Sequence, residues 1–206
     1  MFREDGIMAQ TMARTIYEDY REAVISGALQ PGDMLGEQQV ADRYGASKMP
    51  VREALHQLCQ EGYLVSYPRR GYVVSNITEE DFREIQQVRL PLELLAAELA
   101  ICQASEEELR GLYEIISQGT GPEHTLGQVH ASNSNFHLEL ARLSGNKRLY
   151  ASLEHLIGQV RRAGYRFYSR AALEERHYHR DIADALLARD VERAQTLLRR
   201  DLELTY

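Results

Sequence analysis

Lys48, Arg52 and His56 are spaced by four residues, so on a helix they share one polar face. Val51, Leu55 and Leu58 stand at i, i+4 and i+7 of the same stretch and would bury another face. A helix of this kind suits a major groove. An arginine in its first two turns can donate two bonds to guanine, and a lysine can reach guanine or phosphate. Ser47 suits the N-cap, and a helix N-terminus can bind a phosphate. Arg69 and Arg70 sit at a Pro68-Arg69-Arg70-Gly71 tip, within reach of an adjacent backbone or minor groove. The competing reading is a solvated charged face on an ordinary helix. The turn, cap and tip that follow one another around it weigh against that reading.

A second constellation lies in the C-terminal part. Asn133 and His137 are one turn apart on a single predicted helix. His179 precedes Asp190 by 11 residues and Asp201 follows it by 11. Arg189-Asp190 reads as the turn between two antiparallel helices, which would set His179 and Asp201 at one level. Two imidazoles, a carboxylate and an amide oxygen are ligands for a divalent transition metal of the zinc, nickel or manganese class. Spacing alone also fits ordinary surface or hydrogen-bonded histidines. Arg89, Arg161 and Arg162 lie on predicted helices of the same region. An arginine aimed into a helical pocket would bind a carboxylate, whereas a surface ion pair is the plainer alternative.

These residues need elements to hold them. Ile16, Tyr20, Ala23 and Val24 give a helix over Met12–Ser26, closed by Gly27 and a turn at Leu29–Asp33. Short helices follow at Glu37–Tyr44 and Lys48–Glu61, with Pro50 in the first turn and Gly62 at the end. Tyr63–Tyr67 and Tyr72–Ser75 flank the Pro/Gly tip as a hairpin. Three helices and a hairpin make a winged helix-turn-helix over residues 8–76. From Thr78 the pattern is helical, with six helices and no strand over residues 77–206. Ile85, Val88, Leu92, Leu95, Ala96 and Leu99 form the expected buried stripe of the first. The expected fold class is mainly α, a winged helix-turn-helix followed by an all-α bundle.

Composition narrows the function. Hydrophobic residues at 44% and charged residues at 27% allow a packed core and exclude a disordered chain. No run of about 18 uncharged apolar residues is present, so no membrane span is expected. Cys59 and Cys102 are far apart without CxxC spacing, which argues against a disulfide framework and fits a reducing cytoplasm. The net charge is −7, with −2 in residues 1–76 and −5 in the remainder. Nucleic-acid binding through bulk charge is therefore excluded, and any such binding must come from a local basic face.

Ile25-x-Gly27-x-Leu29-x-Pro31-Gly32-x-x-Leu35-x-Glu37, Ser47-Lys48-Met49-Pro50-Val51-Arg52-Glu53-Ala54-Leu55 and Glu61-Gly62 together resemble the DNA-binding domain of the GntR family. The resemblance implies DNA contacts from Glu37, Gln38, Ser47, Lys48, Met49, Pro50, Arg52, Arg70 and Gly71. The family often has arginine where Lys48 stands, and lysine is a point charge rather than a fork. Glu80-Asp81-x-x-Glu84-Ile85-x-x-Val88-Arg89-x-x-Leu92-Glu93, Phe136-His137, Ser144-Gly145-Asn146 and His179-x-x-Ile182-x-x-Ala185 are similar to the FCD effector domain, in the VanR-like branch of the FadR subfamily. Many such domains hold a metal with one aspartate and three histidines. Here Asn133 stands at the aspartate position and Asp201 at that of the last histidine. The altered set still offers two histidines and a carboxylate, with Asn133 as a weak ligand or an effector hydrogen-bond donor. The same resemblance implies Arg89 as an effector contact, with Arg162 and Tyr165 behind it.

The expectation is a cytoplasmic homodimeric transcription regulator, a repressor, without enzymatic activity. It would bind a near-palindromic double-stranded operator and respond to a small carboxylate effector. The rivals are a metal-dependent hydrolase built on His137, His179 and Asp201, and a winged helix that binds protein in place of DNA.

Overall fold

In the computed structural model the chain divides into two compact units, Met1–Ile77 and Thr78–Tyr206. The structure describes the backbone of residues 2–121, 124–167 and 178–203, and the side chains in those ranges apart from 2–10, 126, 164–167 and 203. Among the described residues no helix is long and apolar enough to cross a membrane.

The first unit contains α1 (Phe2–Ile25), β1 (Met34–Leu35), α2 (Glu37–Tyr44), α3 (Lys48–Gln60), β2 (Leu64–Tyr67) and β3 (Gly71–Val74). Its core joins Ile16, Tyr20 and Val24 of α1 to Val51, Leu55 and Leu58 of α3, with Tyr63 fully buried. Helix α1 starts well before Met12, and the polar run Arg3-Glu4-Asp5 carries no apolar period that would mark this start in the sequence. Strand β1 is also new relative to the sequence reading. It pairs antiparallel with β3, opposing Leu35 to Tyr72, so the sheet order is β1-β3-β2. Gly71 makes that pairing possible. Its φ is +99°, and a Cβ there would stand 2.5 Å from the Leu35 carbonyl oxygen.

The second unit is helical: α4 (Glu79–Gln103), α5 (Glu106–Ser117), α6 (Leu126–Leu143), α7 (Lys147–Phe167), α8 (Tyr178–Leu187) and α9 (Val191–Glu203). Thr78 with Asp81, Ser105 with Glu108 and Thr125 with Gln128 form reciprocal capping boxes that start α4, α5 and α6. The core is built on Leu109 and Leu112 of α5, Phe136 and Leu140 of α6, Leu153 and Ile157 of α7, Ile182 and Leu186 of α8 and Leu198 of α9.

The buried face of α4 corrects the sequence reading. Phe82, Gln86, Arg89, Glu93, Leu94, Ala96, Ala97 and Ala100 point inward, while Val88 and Leu95 are exposed. Of the predicted stripe only Ala96 is fully buried. Polar side chains take the inward positions, Arg89 pairing with Glu93 and with Gln86, and the apolar period lies on a different face.

Candidate functional site

In the first unit, α3 presents Lys48, Arg52 and His56 to solvent while Val51, Ala54, Leu55 and Leu58 hold it to the core. Met49 is exposed beside them, whereas Pro50 is buried and offers no exposed side chain. Ser47 occupies the N-cap position, but its hydroxyl makes no capping bond. An N-cap oxygen accepts from the N2 or N3 amide, and N3 here is Pro50, which has no N–H.

Arg52 donates from Nε to Glu37 Oε1 at 3.0 Å and from Nη2 to Glu37 Oε2 at 2.8 Å. The Tyr72 hydroxyl donates to Glu37 Oε1 at 3.3 Å. Hydrogen bonding from Arg52 lowers the Glu37 carboxyl below the usual carboxylate range. Gln38 is exposed and donates to Asp42. Arg69 and Arg70 are exposed at the hairpin tip, with Arg69 at a φ of 66°. Gly71 is fixed by its backbone geometry, as described above. The face therefore offers Lys48, Met49, Arg52 and His56 along one helix, and two arginines on the wing.

In the second unit, three helices bring His137, His179 and Asp201 together, with one ligand atom from each inside 4.8 Å. Asp201 Oδ2 lies 3.3 Å from His137 Nε2 and 3.6 Å from His179 Nε2, and the two Nε2 atoms are 3.3 Å apart. The α8–α9 turn sets this level. Arg189 at that turn donates to the Ile101 and Ala104 carbonyls at 2.6 and 2.9 Å, tying the hairpin to the C-terminal end of α4. Phe136 stacks on the His179 ring at 4.3 Å.

Glu93 on α4 enters the sequence reading only as a residue of the FCD-like motif, with no role given to it, yet it pairs with both His137 and Arg89. Its Oε2 is 2.5 Å from His137 Nδ1, and its Oε1 accepts from Arg89 Nε. A carboxylate there places the proton on Nδ1 and leaves the Nε2 lone pair of His137 directed at His179 and Asp201. Arg89 Nη1 also donates to Gln86 Oε1 at 3.3 Å. Among the described residues, Arg89 Nη2 and Gln86 Nε2 are buried and have no hydrogen-bond partner. Burial pushes the Glu93 and Asp201 carboxyls up, but their cationic and imidazole neighbours outweigh it and hold both down, Asp201 well down. Burial lowers His179; for His137 the Glu93 charge overcomes burial and raises it.

Asn133 stands one turn before His137 on α6 and is half-buried. Arg162 is buried on α7, and its charge helps lower Asp81 at the start of α4. The Tyr165 side chain lies outside the described residues.

A winged helix-turn-helix joined to a helical unit, with six helices among its described residues and a buried polar centre, defines a class of DNA-binding regulators. Residues 12–74 match the family described as bacterial regulatory proteins, gntR family, and residues 84–204 match the FCD domain. A Bacillus subtilis relative named uncharacterized HTH-type transcriptional regulator YdhC is 34% identical over 68% of this chain and 64% of its own length. A Streptomyces ambofaciens relative, named uncharacterized HTH-type transcriptional regulator in unstable DNA locus, is 33% identical over 97% of this chain and 87% of its own. The solved structure of E. coli McbR/YncC covers 93% of each chain at 25% identity with a TM-score of 0.77. The chain belongs to the GntR family of bacterial transcriptional regulators, in the group that carries an FCD domain.

Proposed function

We propose that the chain is a cytoplasmic, homodimeric repressor that binds a near-palindromic operator and releases it when a small carboxylate binds the helical unit. The observation that carries the reading is the exposed Lys48–Arg52–His56 face of α3, held rigid by a fully apolar opposite face. Two such helices would read half-sites about one helical turn apart. The predicted contacts from Gln38, Ser47, Met49, Arg69 and Arg70 fit as exposed neighbours of that face and its wing. The second copy has a ready surface. Ile85, Val88, Leu92, Leu95 and Leu99 recur at spacings of three and four on α4, and Val88 and Leu95 are 54% and 41% exposed. A dimer seated on its operator excludes other proteins from that DNA, which favours repression.

The donor set of His137, His179 and Asp201 fits a divalent transition metal: two imidazole nitrogens and a carboxylate oxygen converge, and Glu93 orients one imidazole. Asn133 is the additional candidate ligand or effector contact. Such an ion would supply a Lewis-acid seat for an effector oxygen. Arg89 Nη2 and Gln86 Nε2, buried and without acceptors among the described residues, would receive the effector carboxylate.

The test of operator binding is a gel-shift titration on DNA from upstream of the chain's own gene. Arg52→Ala should abolish the shift; unchanged affinity refutes the reading. Metal analysis of protein purified without chelator should find a divalent ion that a His137→Ala/His179→Ala variant lacks, and absence from both refutes the metal. Turnover on a hydrolase substrate panel would instead support an enzyme.

A further inference from the structure

We infer that Glu37 is not itself a base-reading residue but, with Tyr72, positions the Arg52 fork and so sets base specificity at the position Arg52 reads. This rests on the operator-binding reading above. The chain of contacts is continuous. Register places Tyr72 of β3 opposite Leu35 of β1, two residues before Glu37. Gly71 lets the wing backbone approach Leu35 closely enough for that pairing. The Tyr72 hydroxyl then reaches Glu37 Oε1, and both Glu37 oxygens face Arg52 on α3.

The pairing uses a defined part of the guanidinium. Nε–H and one Nη2–H go to Glu37. Both N–H groups of Nη1 and the other on Nη2 are left, and these form the end-on pair that matches guanine O6 and N7. The Arg52 side chain is 66% exposed, so without Glu37 it would sample many rotamers and reach phosphates as readily as a base edge. Glu37 is 24% exposed, and with both its oxygens engaged by Arg52 it has little capacity left for a base amino group. Its negative charge also cancels Arg52 as a general phosphate attractor. The pair therefore trades sequence-independent attraction for discrimination, a division of roles between phosphate and base contacts.

The test is selection from a pool of randomised duplexes with the purified full chain, followed by competition measurements on the selected sequence and on random duplex. The wild type should enrich a sequence in which one guanine preference is lost in Arg52→Ala, by about tenfold or more, the scale of a bidentate arginine–guanine pair. Glu37→Gln should weaken the preference at that same base pair by about 2- to 12-fold, the range for ordering one long side chain. Affinity of Glu37→Gln for random duplex should instead rise, with a log–log salt slope steeper by up to about one. Tyr72→Phe, which keeps the core ring, should move preference the same way by a smaller factor. A variant that merely misfolds would lose both kinds of binding together. Three outcomes overturn the inference: an unchanged preference in Glu37→Gln and Tyr72→Phe, a loss at a base pair other than the one Arg52 reads, or a fall in random-duplex affinity. If the wild type enriches nothing, the operator reading itself fails.

Discussion

Replacing Glu93 by leucine tests the buried polar centre most directly. The change keeps the size of the side chain and removes its charge. Glu93 is 0% exposed and Arg89 2%, so solvent cannot take up the guanidinium charge left behind. Arg89 Nε–H and His137 Nδ1–H both lose their acceptor. Breaking a buried ion pair by removing one partner costs about 3–5 kcal/mol. A second orphaned buried donor costs about 1–3 kcal/mol. The two share one carboxylate and do not simply add, so the expected loss is about 4–6 kcal/mol. That is a large part of the roughly 5–15 kcal/mol that holds a domain together. It corresponds to a melting-temperature drop of about 10–20 °C for a unit of this size. Urea unfolding at neutral pH, followed by circular dichroism with chelator present, measures it without stabilisation by bound metal. The double variant Arg89→Met/Glu93→Leu removes both charges and should recover part of the loss, because an apolar pair can replace a buried ionic one. Recovery stops short of the wild type, since His137 Nδ1 still lacks its partner. A single variant within about 1 kcal/mol of the wild type, or a double variant less stable than either single one, refutes the reasoning.

Two further outcomes follow from helix starts and carboxylates. Thr125→Ala removes the side chain that accepts from the Gln128 amide and should cost about 1 kcal/mol, whereas Ser47→Ala, which removes no capping bond, should leave thermal stability nearly unchanged. Thr78 hydrogen bonds hold Asp81 below the ordinary carboxylate range, and the Ser105 backbone amide together with its hydroxyl does the same for Glu108. The unfolded chain then binds more protons than the native one as pH falls below about 4 to 4.5, so stability present above that range is lost on acidification. Unfolding midpoints at neutral and acid pH should show this loss, and it should be smaller in Thr78→Ala/Ser105→Ala; an equal or larger loss in the double variant counts against it.

The helices and hairpin of the first unit were legible because their signals are local. Gly45, Gly62 and Gly71 stand at positive φ where turns were expected, and α2 carries the predicted bounds. The sequence carries no such signal for β1, which is two residues long. Strand β1 has no periodicity of its own and exists because Gly71 admits the Leu35 carbonyl. Its consequence is large for so short an element, since it brings Tyr72 to Glu37 and thereby reaches Arg52. A one-dimensional pattern reports which residues are capable of reading DNA, and only the pairing shows which of them orients another.

The second unit was legible in a different way. His137, His179 and Asp201 were found by counting from a turn, because an antiparallel helix hairpin puts residues equidistant from its loop at one level. The rest was hidden by a sound rule applied to an uncommon case. Apolar residues at spacings of three and four mark the face that leaves water, and on α4 they are Ile85, Val88, Leu92, Leu95 and Leu99. The structure turns inward the face bearing Gln86, Arg89 and Glu93. A helix can bury such a face only if its charges are paired there, and Arg89–Glu93–His137 provides that pairing. The helix consequently has two faces to withdraw from water, one toward its own core and one that this chain leaves partly uncovered. The exposed Val88 and Leu95 of this stripe are therefore the proposed seat of a second copy. Replacing Val88 and Leu95 together by aspartate should convert a dimer to a monomer in light scattering while the helical unit keeps its fold, because neither side chain contributes to the core. If the double variant remains dimeric, the uncovered stripe has another purpose and the dimer must form elsewhere.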